Sequence, residues 1–282
     1  MRIALAANTK SGGGLDPEPL LAAMRAAGAE AELFGCEPSD LERLAAGRPD
    51  RVAVAGGDGT IAPVAEAAGR IGAPLAVIPT GTANDFARAT HLPTEPAQAA
   101  RLAATGERTR RLELGRLADG RPFVNAASAG LAAKAARHAE AFKGVLGPFA
   151  YGVGALRAAA TEAPLHISVR VDGADAFEGG AWQIIVAATG AFGGGSDVGV
   201  ADPLDGELDV AILTAGSRLA LARRAWGLRR GTIVSQQPVE HHRGMVVEVR
   251  MDDAELNVDG EIREGGLEKV TVEPGAYELI VP

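Results

Sequence analysis

Apolar residues in the first third of the chain fall in short runs that alternate with Ala/Leu-rich stretches of helical spacing. Residues 2–7 (Arg-Ile-Ala-Leu-Ala-Ala) read as a buried strand, and 18–27 as a helix entered through a proline. Residues 30–34 predict a second strand and 41–46 a helix. Residues 51–55 (Arg-Val-Ala-Val-Ala) predict a strand that runs into glycines, followed by a helix over 61–71 and a strand over 74–78. Strand and helix in this alternation imply a parallel sheet with helices on both faces.

Near Leu112 the pattern changes to β-rich runs at 124–126, 165–171, 183–188, 208–213, 246–250 and 270–273, separated by Gly, Asp and Pro turns. That spacing predicts a largely antiparallel β domain. A helical insertion at about 132–160, broken near 144–154, interrupts it. The expected division is an α/β domain over 1–115 and a β-rich domain over 116–282. On this reading the β domain ends at Ile280-Val281-Pro282, and an exposed strand there leaves a homodimer open.

Composition narrows the classes. Hydrophobic residues make up 47% of the 282 and charged residues 23%, which suits globular domains. No apolar run approaches the roughly 20 residues that a spanning helix needs, and the apolar N-terminal stretch is too short for a signal peptide. The expected setting is the cytoplasm, with at most peripheral membrane contact. A single cysteine, Cys36, excludes an internal disulfide and reads as a half-buried packing residue. A net charge of -8 argues against nucleic acid as a partner. The arginines at 218, 223, 224, 229 and 230 flank a helical pattern; they read as a solvated helix flank or a surface for anionic lipid. His241 and His242 are neighbours on a predicted strand, so they face opposite ways and read as edge residues. His138 and His166 have no constellation around them.

Two segments carry chemistry. In Gly56-Gly57-Asp58-Gly59-Thr60 a strand meets a helix through glycines, which admit a phosphate close to the backbone and aim a helix N-terminus at it. Asp58 beside phosphates calls for an intervening Mg2+; the alternative is a helix-capping aspartate. In 79–88 (Pro-Thr-Gly-Thr-Ala-Asn-Asp-Phe-Ala-Arg) a second strand–loop–helix turn opens on the same sheet edge. Thr80, Thr82 and Asn84 there suit phosphate or ribose hydroxyls; the alternative is that Asn84 or Asp85 caps the next helix.

Together, GGDGT at 56–60 and PTGTANDFAR at 79–88 resemble the catalytic domain of the diacylglycerol kinase family, which includes bacterial lipid kinases and sphingosine kinases. GGDGT alone is shared with NAD kinases and, loosely, phosphofructokinases. Asn8-Thr9-Lys10-Ser11-Gly12 is similar to the family's nucleotide loop, with Thr9 in place of a proline. Further matches at 125–130, 143–151, 205–210 and 258–261 extend the resemblance over nearly the whole chain.

The resemblance implies a Rossmann-like, NAD kinase/phosphofructokinase-like α/β domain and a C-terminal β-sandwich. It implies ATP held by Asn8, Lys10, Ser11, residues 56–60, Thr80, Gly81, Thr82, Asn84 and Asp85. Catalytic carboxylates are expected at Asp259 and Glu261, with Asp259-Gly260 otherwise readable as a solvated hairpin turn. An acidic Mg2+ network is expected from Asp58, Asp205 and Glu113, where the family usually carries Asp at the last position; Asp202 could assist. Some relatives also carry a further segment that returns to the first domain, which this chain is expected to lack. The expected reaction is γ-phosphoryl transfer from Mg-ATP to a diacylglycerol- or sphingoid-like lipid. The alternatives are a kinase of a soluble alcohol on the same scaffold and a catalytically silent nucleotide- or lipid-binding protein.

Overall fold

A computed structural model describes residues 1–8, 15–131, 163–192, 196–198, 201–216, 239–251 and 254–282. Lys10, Ser11, His138, the 132–160 insertion, the 143–151 match and the basic cluster at 218–230 lie outside the described residues.

The α/β half follows its sequence pattern closely. Its strands are β1 (Arg2–Ala7), β2 (Glu30–Phe34), β3 (Arg51–Gly56) and β4 (Leu75–Pro79). The helices between them are α1 (Glu18–Ala26), α2 (Pro38–Ala46) and α3 (Asp58–Ile71), followed by α4 (Asp85–Ala89) and α5 (Pro96–Thr105). The strands pair in parallel in the order β4-β3-β1-β2. Strands buried on both faces read as continuous apolar runs, and β1 and β3 do so because helices cover both sides. One core packs Val52, Val54, Val77 and Phe86 with α2 and α3, and another packs Ile3, Leu5, Ala53 and Ile78 with α1 and α5.

The β half comprises β5 (Arg108–Leu117), β6 (Pro122–Phe123), β7 (Ala126–Gly130), β8 (Leu165–Val171), β9 (Ala174–Ala187), β10 (Ala191–Phe192) and β11 (Ser196–Asp197). It continues with β12 (Leu208–Thr214), β13 (Val239–Gly244), β14 (Val246–Met251), β15 (Ala254–Val258), β16 (Glu261–Gly265) and β17 (Lys269–Val281). β9 changes partners along its length. Its first half pairs with β8, and its second half lies between β7 and β12. This switch folds the sheet around a shared core that includes Ile167, Val169, Ile184, Val186, Val210 and Leu256.

The last strand departs from expectation. β17 begins beside β14, then passes a bulge between Glu273 and Tyr277, and its end joins β4 in parallel through Leu279 and Leu75. The returning segment therefore exists, as the second half of the final strand. The alternation of Tyr277, Leu279 and Val281 supplies side chains to the first core, whereas Val270 belongs to the second. With β4 on one side and β5 on the other, this strand is not the free edge that intersubunit pairing would need. β5 is equally shared, since Leu112 and Leu114 face the first core and Leu117 the second. Arg116 on β5 clamps the junction, bonding Glu66 of α3 and Glu273 of β17, each at 2.6 Å.

Candidate active site

The first glycine segment is less a loop than a helix start. β3 runs through Gly56, Gly57 is the N-cap of α3, and Asp58, Gly59 and Thr60 form its first turn. The Thr60 amide donates to the Gly57 carbonyl at 3.0 Å, and a Cβ on Gly56 would meet the Thr60 side chain at 2.8 Å. Asn8 leaves β1 alongside, its amide bonded to the Ala55 carbonyl at 3.2 Å.

The second turn packs directly against the first. The Thr80 amide donates to the Gly56 carbonyl at 3.0 Å, and a Cβ on Gly81 would stand 2.6 Å from the Gly57 Cα. Asn84, in the left-handed region at φ 52°, exchanges two 2.9 Å bonds with Gly81, accepting from its N–H and donating to its carbonyl. Asparagine tolerates that conformation better than most residues do, because its short polar side chain bonds locally. Asn84 thus holds the N-cap position of α4, but its side chain shapes the turn and makes no capping bond to the helix. Thr82 is exposed, and buried Asp85 pairs with Arg88.

Asp58 caps α4 instead. It is 9% exposed, and its carboxylate accepts from the amides of Asp85 at 3.1 Å and Phe86 at 2.8 Å. A third donor comes from the other half of the molecule, the Asn125 side-chain amide at 3.2 Å.

The β15–β16 hairpin completes the site. Asp259 and Gly260 form its turn, with φ of 47° and 89°, the Asp-Gly chemistry of a tight hairpin. The Asp259 side chain is not solvated. It is 7% exposed and accepts from three successive amides, Val124 and Asn125 at 2.8 Å and Ala126 at 3.1 Å. Burial pushes its carboxyl up to about 7 against the pull of those donors, with the negative charge of Asp58 adding to the rise. Glu261 is exposed and paired with Arg263 at 2.6 Å, and its carboxylate lies over Gly59.

Glu113 and Asp205 form a separate group. Glu113 is 2% exposed; one of its oxygens accepts from the Gly206 amide at 2.9 Å, and the other, Oε1, has no hydrogen-bond partner among the described residues. Burial, reinforced by Asp205, Asp202 and Asp209, pushes Glu113 up to about 8. Asp205 pairs with Arg243, and His241 Nε2 meets buried Asp209 at 2.6 Å. The Tyr277 hydroxyl is buried without a hydrogen-bond partner among the described residues, and its pKa is raised by burial and by the charges of Asp259 and Glu113.

Among the described residues no three His, Cys, Asp or Glu side chains cluster as a metal would require. Asp58 accepts from the α4 amides, Asp205 pairs with Arg243, and Glu113 accepts from the Gly206 amide. Cys36, partly buried with its thiol pushed up to about 11 by burial, is a packing residue. Asn125 lies in the 125–130 match but carries no assigned role there, and Thr189 and Tyr277 fall in no motif, because isolated polar residues in β runs carry no local signal.

Comparison with known proteins agrees with this architecture. Residues 2–117 match the model of the diacylglycerol kinase catalytic domain, and 125–281 that of the YegS C-terminal NAD kinase beta sandwich-like domain. A Pseudomonas aeruginosa protein named "Probable lipid kinase YegS-like" is 34% identical over 100% of this chain and 94% of its own. This chain belongs to the diacylglycerol kinase and YegS-like family. It is therefore a kinase, a phosphotransferase with an alcohol acceptor. The Bacillus subtilis diacylglycerol kinase is 29% identical over 75% of this chain and 71% of its own. A diacylglycerol kinase structure from Bacillus anthracis superposes with a TM-score of 0.76 at 23% identity, covering 100% of this kinase and 97% of that chain. An NAD kinase from Archaeoglobus fulgidus, in complex with ATP, shares the fold at a TM-score of 0.55 and 16% identity, covering 100% and 94%. Among the described residues no helix is long and apolar enough to cross a membrane.

Proposed function

We propose that this kinase transfers the γ-phosphoryl group of Mg-ATP to the hydroxyl of a diacylglycerol- or sphingoid-like lipid. The observation that carries the reading is the contact of the Glu261 carboxylate with Gly59, which sets an exposed acid against the first turn of α3.

On this reading the α/β part, residues 1–115, takes the nucleotide at the paired turns, where the N-terminus of α3 favours phosphate. Asn8, Lys10, Ser11, Gly56 to Thr60, Thr80, Gly81, Thr82, Asn84 and Asp85 belong to that side. Residues 116–282 face the acceptor. The acceptor oxygen attacks the γ-phosphorus, the bond to the β-phosphate oxygen breaks, and ADP leaves. The hydroxyl proton passes to Glu261 and from there to solvent. Asp259, held by three amides, fixes the turn that carries Glu261. Magnesium would accompany the nucleotide as the counter-ion of its phosphates. A lipid acceptor implies peripheral contact with a bilayer.

The test is purified protein with labelled ATP and a panel of diacylglycerols, sphingoid bases and soluble alcohols in mixed micelles. Labelled phospholipid that fails to form with Glu261→Gln supports the reading. Phosphorylation of soluble alcohols alone would replace the lipid, and nucleotide binding without transfer to any acceptor would end it.

A further inference from the structure

We propose that Asn125, locked by Thr189, is a positioning residue that holds the Asp58 turn and the Asp259–Glu261 turn in register. The inference rests on the reading of the site given above.

Asn125 lies between β6 and β7, so it belongs to the β half, and it is 1% exposed. Its side-chain Nδ2 donates to Asp58 Oδ1 at 3.2 Å, across the junction between the halves. Its own main-chain amide donates to Asp259 Oδ1 at 2.8 Å. One residue therefore serves both carboxylates, which otherwise repel each other; the charge of Asp58 is one cause of the raised pKa of Asp259.

The orientation of the amide is enforced. An ionised carboxylate can only accept, so the end of Asn125 facing Asp58 must be the NH2. At the other end the Thr189 hydroxyl donates to Oδ1 at 2.7 Å. Flipping the amide would set oxygen against carboxylate oxygen. The main chain is braced as well, because the Ala188 amide donates to the Asn125 carbonyl at 2.9 Å. Thr189, 6% exposed just past the end of β9, reaches Asp58 through Asn125.

The alternative is that these bonds merely satisfy buried polar groups. A change of register lowers kcat because it separates the donor phosphate from Glu261, and it leaves nucleotide affinity alone. Lost packing lowers folded protein instead. A hydrogen bond to a charged group corresponds to roughly 10- to 100-fold in rate when the reacting geometry depends on it.

The experiment compares Asn125→Ala, Asn125→Asp, Thr189→Val and Thr189→Ser in the full chain. It measures thermal midpoint, KM for ATP and kcat with a lipid that the wild type phosphorylates, and phosphate release from ATP without acceptor. The proposal expects kcat to fall about 10- to 100-fold in Asn125→Ala and Thr189→Val with KM for ATP unchanged, and near wild-type kcat in Thr189→Ser. Asn125→Asp should lose at least as much, because it adds a third carboxylate. Wild-type kcat in Thr189→Val would overturn the proposal. So would a rise in KM for ATP at constant kcat, or losses that follow the unfolded fraction. If the wild type phosphorylates no lipid, the lipid reading fails by itself, and the same comparison is then decided on phosphate release.

Discussion

The Glu261 carboxylate occupies the space into which a side chain on Gly59 would grow, with Oε1 only 2.6 Å from a Cβ built there and Cδ at 3.0 Å. The glycine at this position is required by the hairpin of the other half as much as by any phosphate. Gly81 stands in a different relation, because its Cβ would meet the Gly57 Cα, which is backbone.

Gly59→Ala and Gly81→Ala should therefore fail differently. In Gly59→Ala the long Glu261 side chain swings aside, so folding stability holds while kcat falls by about 10- to 100-fold through misplacement. In Gly81→Ala the two turns must separate, which costs roughly 1–3 kcal/mol and lowers the melting temperature as well as the activity. Thermal melts beside steady-state kinetics separate the two. Equal melting losses would mean that Glu261 is held rigidly.

Glu261→Gln keeps shape and removes the proton acceptor. Turnover should fall by about 10²- to 10⁴-fold with KM for ATP unchanged. Glu261 is exposed and its partner Arg263 is half-exposed, so stability should hardly change. A loss of less than twofold would remove Glu261 from the chemistry.

Stability should fall as pH rises through the weakly acidic to neutral range. Glu113 in the folded protein is raised from 4.5 to about 8, and Asp259 from 3.8 to about 7. Below the lower values both states hold the proton and nothing changes. Between the lower and upper values the unfolded chain releases a proton that the folded chain keeps, so the folded state loses ground as pH rises. Above about 8 the effect is complete. Melting curves from pH 5 to 9 should show the decline, and Glu113→Gln should flatten it. An unchanged slope in that variant would exclude Glu113 as its source.

Tyr277→Phe should leave stability unchanged or raise it by about 1 kcal/mol, because the buried hydroxyl has no partner among the described residues and so contributes nothing that its removal forfeits. Destabilisation beyond about 1 kcal/mol in urea titrations would mean that the hydroxyl is bonded.

Much of the α/β half was legible because its information is local. β1 and β2 have the predicted bounds, and the apolar runs of β3 and β4 marked their places. Helix starts were placed too late at α2 and α3, since Pro38 and the glycines of the first turn look like loop residues in isolation. The β half was legible as strands but not as partners. Nothing in the run of β9 marks where it exchanges β8 for β7 and β12, and nothing in β17 signals that its end joins β4.

The sequence by itself determined which residue types reach the site: two glycine turns, an Asp-Gly-Glu hairpin and the family that these motifs mark. Each is a short segment whose conformation follows from glycine freedom, turn chemistry and apolar spacing. Tertiary structure alone decided what the side chains do. Asp58 caps a helix that begins 27 residues after it, and Asp259 is buried by amides 133 to 135 residues before it. Asn125 meets both acids only because β6 and β7 pass beside the junction. Hydrogen bonds to distant partners and the loss of solvent set those roles, and neither leaves a periodic trace along the chain.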